Sequence, residues 1–427
     1  MNTLTNRDIN SAGGAGLDIS ALRENPAAAG MSGERLERVG RHLESRFIEP
    51  GKISGALPVV YRKGELAYAR AFGRMDIERS KPMQLDTIFR IYSMTKPITS
   101  IALMMLYEEG YFQLQDEVRR FIPQFAKLRV YQGGVYPHFQ TRPCDRHMTI
   151  RDLLSHMSGL TYGFMARTNV DHAYRRAKVG GEVAGATLAD MMDKLADIPL
   201  EFSPGTAWNY SVATDVCGRL VEVLSGQSLD VFFAERIFKP LGMSDTGFTV
   251  PDEKIERFAA NYMRNAKKEL VLEDDPQDSP YIRPRSFLSG GGGLVSTASD
   301  YLQFSRMLLG NGSVDGVRLV GRKTIELMTA NHLPGNQDLT RWAQGSFSET
   351  ANEGYGFGLG FSVNLGAGAT ATAGSAGEYA WGGAASTIFW VDPVEELIVV
   401  FMTQFMPSAT FNFRGQLKSL VYPAIVD

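Results

Sequence analysis

Apolar residues first recur at helical spacing at Leu36, Val39, Leu43 and Phe47, among charged neighbours, which predicts an amphipathic helix. Two strand-like runs follow, residues 56–61 and 66–72, separated by Arg62-Lys63-Gly64-Glu65; they read as a hairpin that opens an antiparallel sheet. Residues 93–109 predict a second helix, with Ile98, Ile101, Ala102, Met105 and Leu106 on one face and Gly110 as the stop. Pro97 then falls in or near the first turn, where its missing N–H costs least. Helical periodicity continues through residues 150–156, 188–195, 212–224 and 229–238. β-Branched and aromatic residues return at 385–390 and 397–403, with Asp392-Pro393 as the turn between them. Residues 413–421 predict a last helix, stopped by Pro423. Helix and strands, a helical middle, then strands and a helix predict an α+β fold. In it an antiparallel β-sheet is flanked by N- and C-terminal helices and carries an inserted, mostly helical domain. The expected division is a flexible tail over 1–30, an α/β domain from 31–112 and 286–427, and the helical domain over 113–285.

Composition narrows the function. With 427 residues, 44% hydrophobic and 21% charged, the chain has the balance of a globular enzyme with a sizeable core. The formal net charge of -3 gives no electrostatic reason to expect nucleic acid or an anionic membrane as partner, whereas a small molecule fits. Of the two cysteines, Cys144 lies in a loop-like stretch and Cys217 in an apolar helical run. Both read as free thiols of a reducing compartment. The first residues lack a basic stretch followed by an apolar one, and no run reaches membrane-spanning length, so the expected location is the cytoplasm. No His/Cys/Asp/Glu group has metal-ligand spacing, and neither metal nor cofactor is expected.

The chemistry begins at Ser93-Met94-Thr95-Lys96, the one Ser-x-x-Lys in the chain. Residues three apart on a helix are neighbours, so the lysine can reach the hydroxyl. A serine hydroxyl needs a base at neutral pH, and a lysine can serve if burial and a helix N-terminus favour its neutral form. The Gly-x-Ser-x-Gly elbow of the α/β-hydrolases is absent. His156, within Leu153-Leu154-Ser155-His156-Met157-Ser158-Gly159-Leu160, reads as a structural histidine at a helix end. The Gly290-Gly291-Gly292-Gly293 run lacks the Gly-Lys-Ser/Thr of a phosphate loop and reads as a structural turn.

Ser93-Met94-Thr95-Lys96, preceded by Phe89-Arg90-Ile91-Tyr92 and followed by Pro97-Ile98-Thr99, resembles the first motif of the penicillin-recognising serine enzymes. The likeness is greatest to class C β-lactamases and family VIII carboxylesterases, and further segments continue it in order from about residue 31 to 405. It implies that Tyr210, in Tyr210-Ser211-Val212, stands where the superfamily has Tyr-x-Asn and shares base and acid duty with Lys96. Val212 replaces the asparagine that holds an antibiotic's amide. Trp381-Gly382-Gly383 stands where the lactamases have Lys-Thr-Gly, the form seen in family VIII esterases, and an indole replaces the cation that engages a β-lactam carboxylate. The resemblance also implies an oxyanion hole from the backbone N–H groups of Ser93 and Ala384. Tyr92, Val212, Trp381, Gly382 and Gly383 are expected at the substrate.

These residues together predict a carboxylesterase acting on a neutral, short-chain ester through a Ser93 acyl-enzyme. The alternatives are cephalosporinase or D,D-peptidase activity, or an acyltransferase in which an alcohol or amine replaces water. A non-catalytic scaffold would be expected to have lost Ser93, Lys96 or Tyr210, and all three are present. Oligomeric state has no sequence signal here.

Overall fold

In the computed structural model, residues 16–180, 183–345 and 351–427 are described. Among them nine strands form one antiparallel sheet. Its path runs from Tyr355–Phe357 through Ser362–Asn364, Tyr379–Gly382, Ile388–Asp392 and Leu397–Thr403 to Gly55–Arg62, Phe72–Asp76 and Lys81–Pro82. Strand Glu65–Ala69 also pairs with Gly55–Arg62, completing the expected hairpin. Lys63 and Gly64 both take positive φ, 52° and 84°, as a two-residue turn matched to strand twist requires. The two chain ends meet in register, from Ala56 opposite Thr403 to Arg62 opposite Leu397.

Both faces of this sheet are covered, which explains why its central strands read as continuous apolar runs. Ala56, Val60, Val399 and Phe401 face one layer, formed with helices Gly33–Leu43 and Phe413–Val421. Leu57, Val59, Ile398 and Val400 face the other, which holds helices Thr95–Glu108, Ala213–Ser225 and Ala298–Leu309. The alternation follows the two-residue period of a pleated strand. The expected α+β fold is therefore observed, and the helix over 413–421 has the expected bounds.

Four differences have physical causes. The expected helix over 93–109 starts as a short 3-10 turn, Tyr92–Met94, and becomes α-helical at Thr95. It is buried on all sides through Leu106 rather than on one face. The strand expected over 385–390 is displaced to Ile388–Asp392, because Ser386 turns at φ 67° between it and Tyr379–Gly382. The middle of the chain contains a hairpin, Arg129–Val135 with His138–Pro143. It also contains strands Asn261–Arg264 and Leu270–Asp274, which join Phe405–Met406. The hairpin's positions are mostly exposed or half-buried, so it carries little hydrophobic alternation to read. Lastly, the tail expected over 1–30 is docked from its second half: Ile19 and Ala29 are buried, and Asn25 N–H donates to the Leu66 carbonyl at 2.7 Å. Two apolar anchors in a polar stretch hold it without making a periodic pattern. Residues 1–15 lie outside the described residues, within which no helix is long and apolar enough to cross a membrane.

Candidate active site

Ser93 sits in the 3-10 turn that feeds helix Thr95–Glu108. Tyr92 before it is held at φ 41°, a left-handed conformation that costs a bulky residue about 1–3 kcal/mol and that packing must enforce. Its ring lies edge-on to Tyr281, 6.4 Å between centroids. Lys96 is buried in the first turn of the helix. Its Nζ lies 3.2 Å from Ser93 Oγ, 3.0 Å from the Tyr162 hydroxyl and 2.6 Å from the Gly291 carbonyl. The Tyr210 hydroxyl is 2.6 Å from the same Ser93 Oγ, and Lys96 Nζ stands 4.5 Å from the centre of the Tyr210 ring. A nucleophile-class hydroxyl thus touches an amine and a phenol at once, which is the geometry proton exchange requires.

Aromatic packing fixes Tyr210. His156, Tyr162 and Trp381 surround its ring at 5.1, 5.1 and 5.5 Å. His156 is fully buried with Nδ1 3.2 Å from Ser211 Oγ. Burial first, and the Lys96 charge second, hold its imidazole well below its ordinary pKa. It serves as a neutral wall of the phenol, at the end of helix Ile150–Leu154.

A second tier fixes Lys96. Asp215, in the first turn of helix Ala213–Ser225, accepts from the Ser289 hydroxyl at 2.6 Å and the Gly291 N–H at 3.0 Å. The Gly291 carbonyl in turn receives Lys96. Burial raises the Asp215 pKa, while the Ser289 bond and the Lys96 charge pull it back. A Cβ on Gly291 would stand 2.6 Å from Asp215 Oδ2 and 2.9 Å from the Tyr162 hydroxyl, so any side chain there would displace groups that surround Lys96. The glycine run is the expected structural turn, and it presents a carbonyl to the lysine.

The site opens into a cavity of about 800 Å³ bordered by Tyr92, Ser93, Tyr210 and Ala384. Not every residue expected at the substrate borders it. Val212 is buried at the start of its helix, and Trp381 is buried against Tyr210 and Phe357. Gly382 and Gly383 border a different cavity of about 340 Å³, beside Ile388 and Phe411. A Cβ on Gly383 would come within 2.4 Å of the Ile91 carbonyl oxygen. Its glycine thus allows the close approach of two backbones. Sequence reasoning missed the roles of Tyr162 and Asp215. An acid inside an apolar helical run was a usable signal for Asp215; the bond of Tyr162 to Lys96 had none. Among the described residues no group of three or more metal-ligating side chains forms.

A family model described as Beta-lactamase matches residues 41–421 of this chain. Protein Rv1367c of Mycobacterium tuberculosis is 37% identical over 364 residues, covering 85% of this chain and 89% of the relative. Esterase EstB of Burkholderia gladioli is 30% identical over 403 residues, 90% of this chain and 94% of the relative. Among solved structures, EstCE1, described as a hydrolase with promiscuous acyltransferase activity, superposes with TM-score 0.76 at 28% identity, over 92% of this chain and 99% of that one. With the serine, lysine and tyrosine all inside the matched residues, the chain belongs to the beta-lactamase family, in the penicillin-binding-protein and serine β-lactamase superfamily.

Proposed function

We propose that this protein is a family VIII-type carboxylesterase of the cytoplasm that cleaves neutral carboxylic esters through an acyl-enzyme on Ser93. The carrying observation is the simultaneous approach of Lys96 Nζ, at 3.2 Å, and the Tyr210 hydroxyl, at 2.6 Å, to Ser93 Oγ. The Ser93 proton passes to the Tyr210/Lys96 pair as Oγ attacks the ester carbonyl carbon. The carbonyl oxygen gains the electron pair and is received by the backbone N–H groups of Ser93 and Ala384, which border the same cavity. Collapse breaks the bond to the alcohol oxygen, and the pair returns its proton to that leaving group. A water then gives a proton to the pair, attacks the acyl carbonyl and releases the acid with Ser93 restored.

Support for an ester over a β-lactam comes from the cavity wall: among the described residues bordering it none is cationic, and Asp215 is a carboxylate. Lys96 stands behind Ser93, and on the wall itself an anionic β-lactam meets a carboxylic acid and no cation. Acyl transfer to an alcohol uses the same site with another acceptor, and the description of EstCE1 favours keeping that reading beside hydrolysis. The test compares hydrolysis of an aryl ester and a chromogenic cephalosporin by wild type and Ser93→Ala. Ester turnover exceeding cephalosporin turnover, and abolished in the variant, is expected. Undiminished ester hydrolysis by Ser93→Ala contradicts the mechanism, and faster cephalosporin turnover contradicts the substrate assignment.

A further inference from the structure

The cavity above Ser93 is far larger than a short ester needs. Its volume of about 800 Å³ lies toward the upper end of small-molecule sites, which run to about 1,000 Å³. Two stretches distant in sequence wall it with apolar side chains: Phe164 and Met165 on one, Met406, Pro407 and Ala409 on the other. Methionine thioethers adapt their shape to irregular ligands. Phe164 is 64% exposed although it borders the cavity, and it stacks on Tyr162 at 4.6 Å and 20°. Tyr162 in turn bonds Lys96. The exposed phenyl ring, stacked on the tyrosine that bonds Lys96, continues the apolar wall of Met165, Met406, Pro407 and Ala409.

Resting on the esterase reading, we infer that the substrate carries a bulky, uncharged, apolar group in its acyl or alcohol half, and that this group packs on Phe164, Met165 and Met406. The short-chain ester expected from sequence would leave that wall in contact with water. Each methylene moved from water onto it is worth a factor of about 4 in transition-state binding.

The test is a series of p-nitrophenyl esters, acetate, butyrate, hexanoate and cyclohexanecarboxylate, beside methyl and naphthyl acetates, with p-nitrophenyl hemisuccinate as the anionic counterpart of butyrate. Calorimetry with Ser93→Ala measures binding of the same esters without turnover. Expected is a rise of about tenfold or more in kcat/KM, and tighter binding, from the smallest to the bulkiest member of at least one series. The hemisuccinate should fall about tenfold below butyrate. Phe164→Ala should reduce kcat/KM for the bulky ester several times more than for acetate. Small members being best in both series, or hemisuccinate equalling butyrate in rate and binding, overturns the inference. Size-dependent binding without turnover of any ester by wild type supports the cavity assignment and overturns the esterase reading alone.

Discussion

Among the described residues two lysines are buried, and their surroundings differ in kind. Lys418, on the C-terminal helix, rests against the equally buried carboxylate of Glu378 and 3.1 Å from the Tyr355 hydroxyl. Glu378 also receives the Tyr422 hydroxyl at 2.7 Å, and Tyr422 reaches Asp392 at 2.8 Å. This is a charge neutralised by an adjacent opposite charge and held by a hydrogen-bonded network, the usual condition for burying an ion. Lys96 Nζ instead touches two hydroxyls and a carbonyl, and the carboxylate of Asp215 reaches it through the Gly291 peptide. On the proposed mechanism, the first arrangement is structural, and the second leaves the amine within reach of the Ser93 hydroxyl.

The sharpest way to break this contrast is to remove each amine in turn. Lys96→Met should lower kcat/KM by about 10⁴-fold, with the denaturation midpoint close to that of wild type. Lys418→Met should do the reverse, costing about 3–5 kcal/mol of stability by stranding Glu378, with turnover per folded molecule retained; denaturant titration beside ester assays checks both. If Lys96→Met keeps its activity, or Lys418→Met its stability, the distinction fails. Tyr210→Phe comes next, with a loss of about 10²–10³-fold in kcat, because Lys96 still reaches Ser93.

Asp215→Asn tests whether the carboxylate acts through Gly291. The expected loss is about tenfold in kcat with little change in KM, accompanied by a displaced pH–rate profile; a change in stability alone would reduce Asp215 to packing. A pH effect on stability completes the set. The His156 pKa is lowered in the folded protein, so below about pH 6.5 the unfolded chain binds a proton that the folded one does not. Its contribution is therefore present above that pH and lost as pH falls, at up to about 1.4 kcal/mol per pH unit. His156→Asn should flatten the acid limb of the stability curve, measured by denaturant midpoints between pH 4 and 7.

How much of this was legible in the sequence follows the distance over which each feature is built. Ser93 and Lys96 could be read together because three residues along a helix place them side by side. The central strands 55–62 and 397–403 could be read because they are buried on both faces and cannot hide their apolar runs. Tyr210 and Ala384 became readable only through an ordered resemblance, since nothing local ties a tyrosine or an alanine to a serine more than a hundred residues away. The bond of Tyr162 to Lys96 and the apolar wall from Met406 to Ala409 stayed invisible for the same reason. The motif position of Gly383 gave no indication that its backbone approaches that of Ile91.

The central claim, a covalent acyl group on Ser93, is tested most directly by intact and peptide mass spectrometry of protein quenched in acid during turnover of an ester. The account predicts a mass increase equal to one acyl group, on the peptide containing Ser93, absent from Ser93→Ala. An adduct on another residue, or hydrolysis that continues undiminished in Ser93→Ala, would contradict it.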